Sequence, residues 1–372
     1  MREEHYQMAV TLRHELHMHP EASMQESWTK QHLMDFLKEH TDLEVVDRGK
    51  WFYAVYHAGE DRPSIAFRAD MDAVPVEEPE GLVPYASCCP GVSHKCGHDG
   101  HSASLAAFAL ELEGLRPQKN VFLIFQHAEE TGQGAKECAA LLEEASISEI
   151  YAFHNLPGVT QGSLVVLDGV TQYASTGMIL RFTGKKSHAS YPENGINPAF
   201  AISEIVSSLE GITRTDADKG LLMITVIQVL VGERAFGTSP GYGELLLTIR
   251  GGFEQEMNGL IGRIENLARE RAAHYGLQCS FAYEDTFPET RNRPEAVARV
   301  RQAAKDCGIP LEDLKEPWRA SEDFGYYTKQ IPGAMFYLGS GDAAPLHTAL
   351  FDFPDPLIRS AVAVFSRLCE LD

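Results

Sequence analysis

The chain is expected to be a layered α/β protein carrying a second, inserted unit, on three observations. Apolar, β-rich runs alternate with amphipathic helical patterns through the first half. Between residues 172 and 288 the rhythm changes to strand, helix, strand, strand, helix, strand. Acidic and imidazole side chains gather just past first-half strand ends, where open α/β sheets place their sites. At 372 residues the chain is also long for one core, which favours two domains.

In chain order, residues 5–18 and 26–40 have helical periodicity, and 43–47, 52–57 and 63–69 read as strands. Residues 102–112 form an almost wholly apolar helix, hence a buried one. A buried strand follows at 120–126, then a helix at 135–144 and a strand at 149–154. In the middle, strands are expected at 176–183, 222–231, 244–250 and 278–283. A helix at 197–209 has Asn197 as cap and Pro198 at its first position. Another at 254–275 is ended by Gly276. This βαββαβ order is that of a ferredoxin-like unit, here 172–288. Helices around 294–306 and 357–370 and a strand at 334–338 return to the first layer. Residues 1–171 and 289–372 therefore make one domain.

Apolar content of 44% with 23% charged residues is that of a soluble globular protein. The net charge of −21 argues against nucleic acid and anionic membrane as partners. The seven cysteines are odd in number and form no framework, so they read as reduced thiols in a cytoplasmic protein. Met1-Arg2-Glu3-Glu4-His5 lacks the apolar core of a secretory signal, and no run approaches the length of a membrane span.

Cys96-Gly97-His98-Asp99, followed by Glu129-Glu130, is the most informative pattern. Thiolate, imidazole and carboxylate are the ligands of zinc, manganese and related ions. In a doubled glutamate one carboxylate can bind metal while its neighbour handles a proton. Plainer readings fit each fragment alone. The first is equally a helix start with Asp99 as N-cap and a buried cysteine; the second, taken alone, reads better as an acidic helix N-terminus. Asp99 also suits holding His98 in one tautomer. His101 is expected to hydrogen-bond rather than ligate. His94 and His127 read as loop residues, and His154, His188 and His347 are each, alone, structural. No Cys-x-x-Cys pair is present, which disfavours a closed structural zinc site and a thiol-redox protein.

Taken together, the chain resembles the binuclear metallo-amidohydrolase and peptidase family of aminoacylases, hippurate hydrolases, auxin-conjugate hydrolases and N-acetyldiaminopimelate deacetylases. The matching motifs are Leu16-His17-Met18-His19-Pro20-Glu21, Phe67-Arg68-Ala69-Asp70-Met71-Asp72-Ala73-Val74-Pro75, Cys96-Gly97-His98-Asp99-Gly100-His101 and Ala128-Glu129-Glu130. Further along come Ser187-His188-Ala189-Ser190-Tyr191-Pro192, Gly195-Ile196-Asn197-Pro198, Ser321-Glu322-Asp323-Phe324 and His347-Thr348.

The resemblance implies two divalent metal ions (zinc, manganese, cobalt or nickel) on Cys96, His98, Glu130, His154 and His347. Cys96 would bridge them, with Glu130 and His347 completing one site and His98 and His154 the other. Glu129 would be the general base and Asp72 a supporting acid. His188 would reach the reacting carbonyl from the lid of a second subunit, in a homodimer or homotetramer joined through the inserted domain. The implied substrate is an N-acyl amino acid. A dipeptidase or carboxypeptidase is the alternative, and a catalytically silent metal- or ligand-binding protein a remoter one. Three positions depart from the family or stay open. Gly237 stands where relatives carry an asparagine that helps hold substrate carboxylate. His127 stands where proline is common. Arg250 matches an arginine that binds the carboxylate and is equally a surface strand residue.

Overall fold

The computed structural model describes residues 1–212, 214–216, 220–314 and 316–371. They form two compact units: Met1–Thr171 with Thr290–Trp318 and Glu322–Asp372, and Gln172–Glu289 with Arg319–Ser321.

The first unit is built on an eight-stranded mixed sheet. Its centre is four parallel strands in the spatial order Asn120–Gln126, Ser64–Asp70, Ile147–Leu156 and Gly333–Gly339. Phe52–Tyr56 and Glu44–Asp47 extend one side antiparallel. The short strands Leu164–Val165 and Leu311–Glu312 finish the other. Ser64–Asp70 and Gly333–Gly339 are buried at every residue, as strands covered on both faces must be.

Side-chain alternation sorts these strands between two cores. Ile65, Phe67 and Ala69 pack with Leu12, Leu33, Phe108, Val300, Val362 and Phe365 from the helices of one face. Ala66 packs with Cys138, Leu142, Phe324 and Tyr327 on the other. The four central strands end, at their carboxyl termini, in or beside Gln126, Asp70, His154-Asn155-Leu156 and Gly339, so one rim of the sheet collects the polar residues.

The apolar helix runs His98–Leu115, four residues earlier than the apolar pattern suggested. Its first turn is polar, but Gly97 at φ 101° turns the chain sharply enough for the helix to begin there. A Cβ on Gly97 would lie 2.3 Å from Asn155 Oδ1, so this turn is closed to larger residues. The helix expected at 135–144 divides into Gly134–Cys138 and Ala140–Glu144.

The second unit holds an antiparallel sheet in the order Arg214–Asp216, Gly220–Val231, Tyr242–Gly251, Ala174–Thr183 and Gln278–Phe287. Helices Ala199–Leu209 and Glu254–Tyr275 bury Ile202, Ile205, Leu260 and Ile264 against Leu180, Phe182, Leu245 and Leu247. The long helix ends at Gly276, φ 69°. Asn197 accepts a hydrogen bond from Ala199 N–H through Oδ1 (2.9 Å), and the helix proper starts one residue after Pro198. Among the described residues no helix is long and apolar enough to cross a membrane.

Candidate metal centre

At the carboxyl rim of the first sheet, Cys96 lies between two groups of candidate ligands. With His98 and His154 it forms one cluster, and with Glu130 and His347 another, the ligand atoms of each within 4.8 Å of one another. Cys96 Sγ is 3.4 Å from His154 Nε2 and 3.4 Å from His347 Nε2. His347 Nε2 is 3.3 Å from Glu130 Oε1, and His98 Nε2 is 3.8 Å from the same oxygen. The structure therefore brings all five residues together from four separate segments.

Orientation of the imidazoles can be read from what they donate. His98 Nδ1 donates to the carbonyl of Asp72 at 2.9 Å, with Asp72 Oδ1 at 3.3 Å. His154 Nδ1 donates to the carbonyl of Asn155 at 2.8 Å. A carbonyl accepts only, so each Nδ1 carries a proton, which leaves Nε2 as the nitrogen that can turn to a metal, and it faces Cys96 and its neighbours. His98 Nε2 and Glu130 Oε1 are buried with no hydrogen-bond partner. Buried polar atoms left bare beside a thiol and a second imidazole fit a pair of divalent cations.

Asp72 is the organiser of this rim. Besides His98 it accepts from Ser23 Oγ (2.7 Å) and the backbone N–H of Glu130 (3.0 Å), so one carboxylate sets two candidate ligands. Asp99 is different from expectation. Gly97 is the helix cap, and Asp99 Oδ2 takes His17 Nδ1 at 2.8 Å and Arg13 Nη1 at 3.2 Å. The tautomer-holding acid is Asp72, two residues past a strand end. His101 spends both nitrogens on Asp70 (2.7 Å) and Asn155 (2.7 Å) and so has none for a metal. His94 and His127 lie outside helices and strands, as read, and are buried, at 1% each.

Glu129 is 5% exposed, and its carboxylate clusters with Glu322 and Asp323 on one side and with His98 and Glu130 on the other. Burial, then the charges of Glu322 and Glu130, hold its carboxyl well above the usual range. Burial, and then Glu130, likewise push the Cys96 thiol up. For His98, burial opposes the charge, but the carboxylates of Asp70 and Asp72 outweigh it and lift the imidazole to about 10. These shifts mark a buried rim crowded with acids, which suits it to cations.

Sequence reasoning quoted Arg68, Glu322 and Asp323 in motifs without giving them work. Arg68 is fully buried and bridges Asp70 (2.7 Å), Glu322 (3.0 Å), Asp323 (2.9 Å) and Gln126 (2.9 Å). It neutralises part of the acid wall behind Glu129. Glu26, which takes the N–H of Ala128 (2.7 Å) and so anchors the Glu129-Glu130 turn, had no signal in the sequence.

His188 and Arg250 belong to the second unit. His188 is exposed on the two-residue strand Ser187–His188, which pairs with Thr238–Ser239 just after Gly237. Arg250 donates from Nη1 to Ser321 Oγ (2.7 Å) and to the carbonyl of Arg319 (3.1 Å).

Comparison with known proteins fits this geometry. Residues 66–371 match the model of peptidase family M20/M25/M40. The chain is 28% identical to the N-acetylcysteine deacetylase of Bacillus subtilis over 97% of its length and 96% of that protein. It is 26% identical to an N-acetyldiaminopimelate deacetylase of Limosilactobacillus reuteri, with 97% of each chain covered. A crystal structure of a Bacillus subtilis protein described as a dinuclear metal binding peptidase superimposes with a TM-score of 0.81 at 27% identity, covering 99% of this chain and 98% of that one. With a family match over most of its length, the chain belongs to peptidase family M20/M25/M40.

Proposed function

We propose that the protein is a metal-dependent amidohydrolase that removes the acyl group from N-acyl amino acids. The observation that carries this reading is Cys96 placed between two sets of ligand atoms with the buried carboxylate of Glu129 beside them. The deacetylase names of two relatives favour acylated amino acids over dipeptides.

In this reading Cys96, His98 and His154 would hold one cation, and Glu130 and His347, with Cys96, the other. Divalent cations bound there supply Lewis acidity, lowering the pKa of a water and polarising the amide carbonyl. Glu129 removes the proton from that water at its carboxylate and delivers it to the departing amine nitrogen. Asp72 keeps His98 Nε2 aimed inward. His188 donates to the carbonyl oxygen as negative charge builds there, and Arg250, held by Ser321, receives the substrate carboxylate.

The inserted unit would be the lid and the dimer contact. Support comes from strand Gly220–Val231, whose outer side is met only at Gly220–Leu222 by Arg214–Asp216 among the described residues. Beyond that point Ile227 and Val229 are 58% and 50% exposed, an apolar edge of the kind proteins normally cover.

The test is a panel of N-acetyl and N-benzoyl amino acids and dipeptides, offered to protein reconstituted with zinc, manganese, cobalt or nickel in turn. Turnover of N-acyl amino acids is expected with at least one metal and none after chelation. Faster turnover of dipeptides would move the assignment to a dipeptidase, and no turnover of either class would overturn it.

A further inference from the structure

We propose that Lys95 is the positioning residue for the cation held by Cys96, Glu130 and His347, a role that rests on the binuclear reading above. Lysine is a poor choice for a fully buried position unless its charge is answered. Here the side chain is 0% exposed, and Nζ donates to Glu78 Oε1 and to the carbonyl of Phe351, the latter at 2.8 Å. The backbone carbonyl of the same residue accepts the N–H of His347 at 2.8 Å. Lys95 thus grips the His347 loop at two points, residues 347 and 351, while being covalently joined to Cys96.

His347 needs such a grip. Its backbone lies at φ 59°, a left-handed conformation that a non-glycine residue holds only when its surroundings impose it. Its side chain is 51% exposed, against 0% for that of His98, so packing does little to fix the ring. The other candidate ligands are set differently: His98 by Asp72, His154 by the carbonyl of Asn155, and Glu130 by its own N–H to Asp72. Glu78 is in turn fixed by Ser87 N–H (2.7 Å) and by His17 Nε2 (3.2 Å), so the lysine clamps onto a rigid partner. The spacing between Cys96 Sγ and His347 Nε2 is therefore set by Lys95.

The test is the affinity of each site measured separately, by titrating metal-free protein with cobalt(II) and with zinc(II) while following heat and, for cobalt, absorbance. Wild type is expected to bind two ions. K95M, and K95M/E78Q to avoid leaving a buried carboxylate unpaired, are expected to bind one ion within about twofold of wild type and to bind the other on the order of 10–100-fold more weakly. A folded K95M/E78Q protein that binds both ions like wild type overturns the proposal. So does equal weakening of both, which would mean general loosening. If the double variant does not fold, K95R and H347A decide. K95R keeps the charge and is expected to weaken the same one ion that H347A removes; weakening of the other ion instead overturns the role. Wild type taking up fewer than two ions would overturn the binuclear reading itself, and this proposal with it.

Discussion

Glu129 and Asp72 are both buried carboxylates within a few ångströms of His98, yet their surroundings give them opposite work. Asp72 is saturated by Ser23, His98 and the N–H of Glu130, and although burial works against its charge, those hydrogen bonds hold its pKa below the usual range. It is a fixed acceptor. Glu129, the proposed base, is pushed the other way by its burial and by the charges of Glu322 and Glu130. E129Q is accordingly expected to retain both metals and to lose on the order of 10²–10⁴ in kcat, checked by metal analysis beside steady-state rates. D72N is expected to act first on metal, with about 10–100-fold weaker binding at the His98 site, measured by competition with a chelator. The ligand types themselves were legible because Cys, His and Glu carry their chemistry in their names. Asp72 was legible only as a neighbour. Which acid holds His98 depends on a carbonyl and a carboxylate brought across from another strand, and nothing in the spacing of Asp99 warned that it faces His17 instead.

Two helices meet through His17 and Asp99, and that contact gives the element scale its own test. Burial works against a charge on His17, but hydrogen bonds to Asp99 and Glu78 outweigh it and raise the imidazole to about 9. The folded protein thus holds this proton more tightly than the unfolded chain, whose histidines titrate near 6.5. The stabilisation is complete below about pH 6.5 and is lost as pH rises through 9, with a ceiling of roughly 3 kcal/mol. Denaturant unfolding of the metal-loaded protein between pH 6 and 10 is expected to show this decline, and H17Q to flatten it; an unchanged slope in H17Q would remove the pair from the account. G97A is expected to cost at least about 1–3 kcal/mol, because φ 101° is strained for alanine and Asn155 leaves no room for the methyl group. Strands such as Asn120–Gln126 were readable because burial on both faces demands unbroken apolar runs. The start of the His98–Leu115 helix was not, since its first turn is spent on polar residues that face the rim. Short pairings such as Leu164–Val165 with Leu311–Glu312 have too few residues to leave a period.

At the scale of the whole molecule, the alternation of strands and helices in the first half and the change of rhythm after residue 171 were plain in the sequence. Which site His188 serves is a separate matter, because its place on the second unit does not name the subunit whose site it would enter. H188A is expected to lose on the order of 10²–10³ in kcat with metal content intact. If it serves a neighbouring subunit, mixing unfolded H188A and E129Q proteins and refolding them together restores measurable turnover that neither shows alone; a mixture as inactive as its parts places His188 in its own subunit's site or outside the reaction.

The two halves of the rim differ in shelter: Cys96, His98 and His154 are closed in, while His347 stands half in solvent. An ion in the open half would leave once His347 swings aside and Cys96 and Glu130 let go, whereas one in the closed half would leave only when the chain around it opens. A strong chelator added to the loaded protein is therefore expected to strip it in a fast and a slow phase of equal amplitude, and the half-emptied species between them to be long-lived enough to isolate.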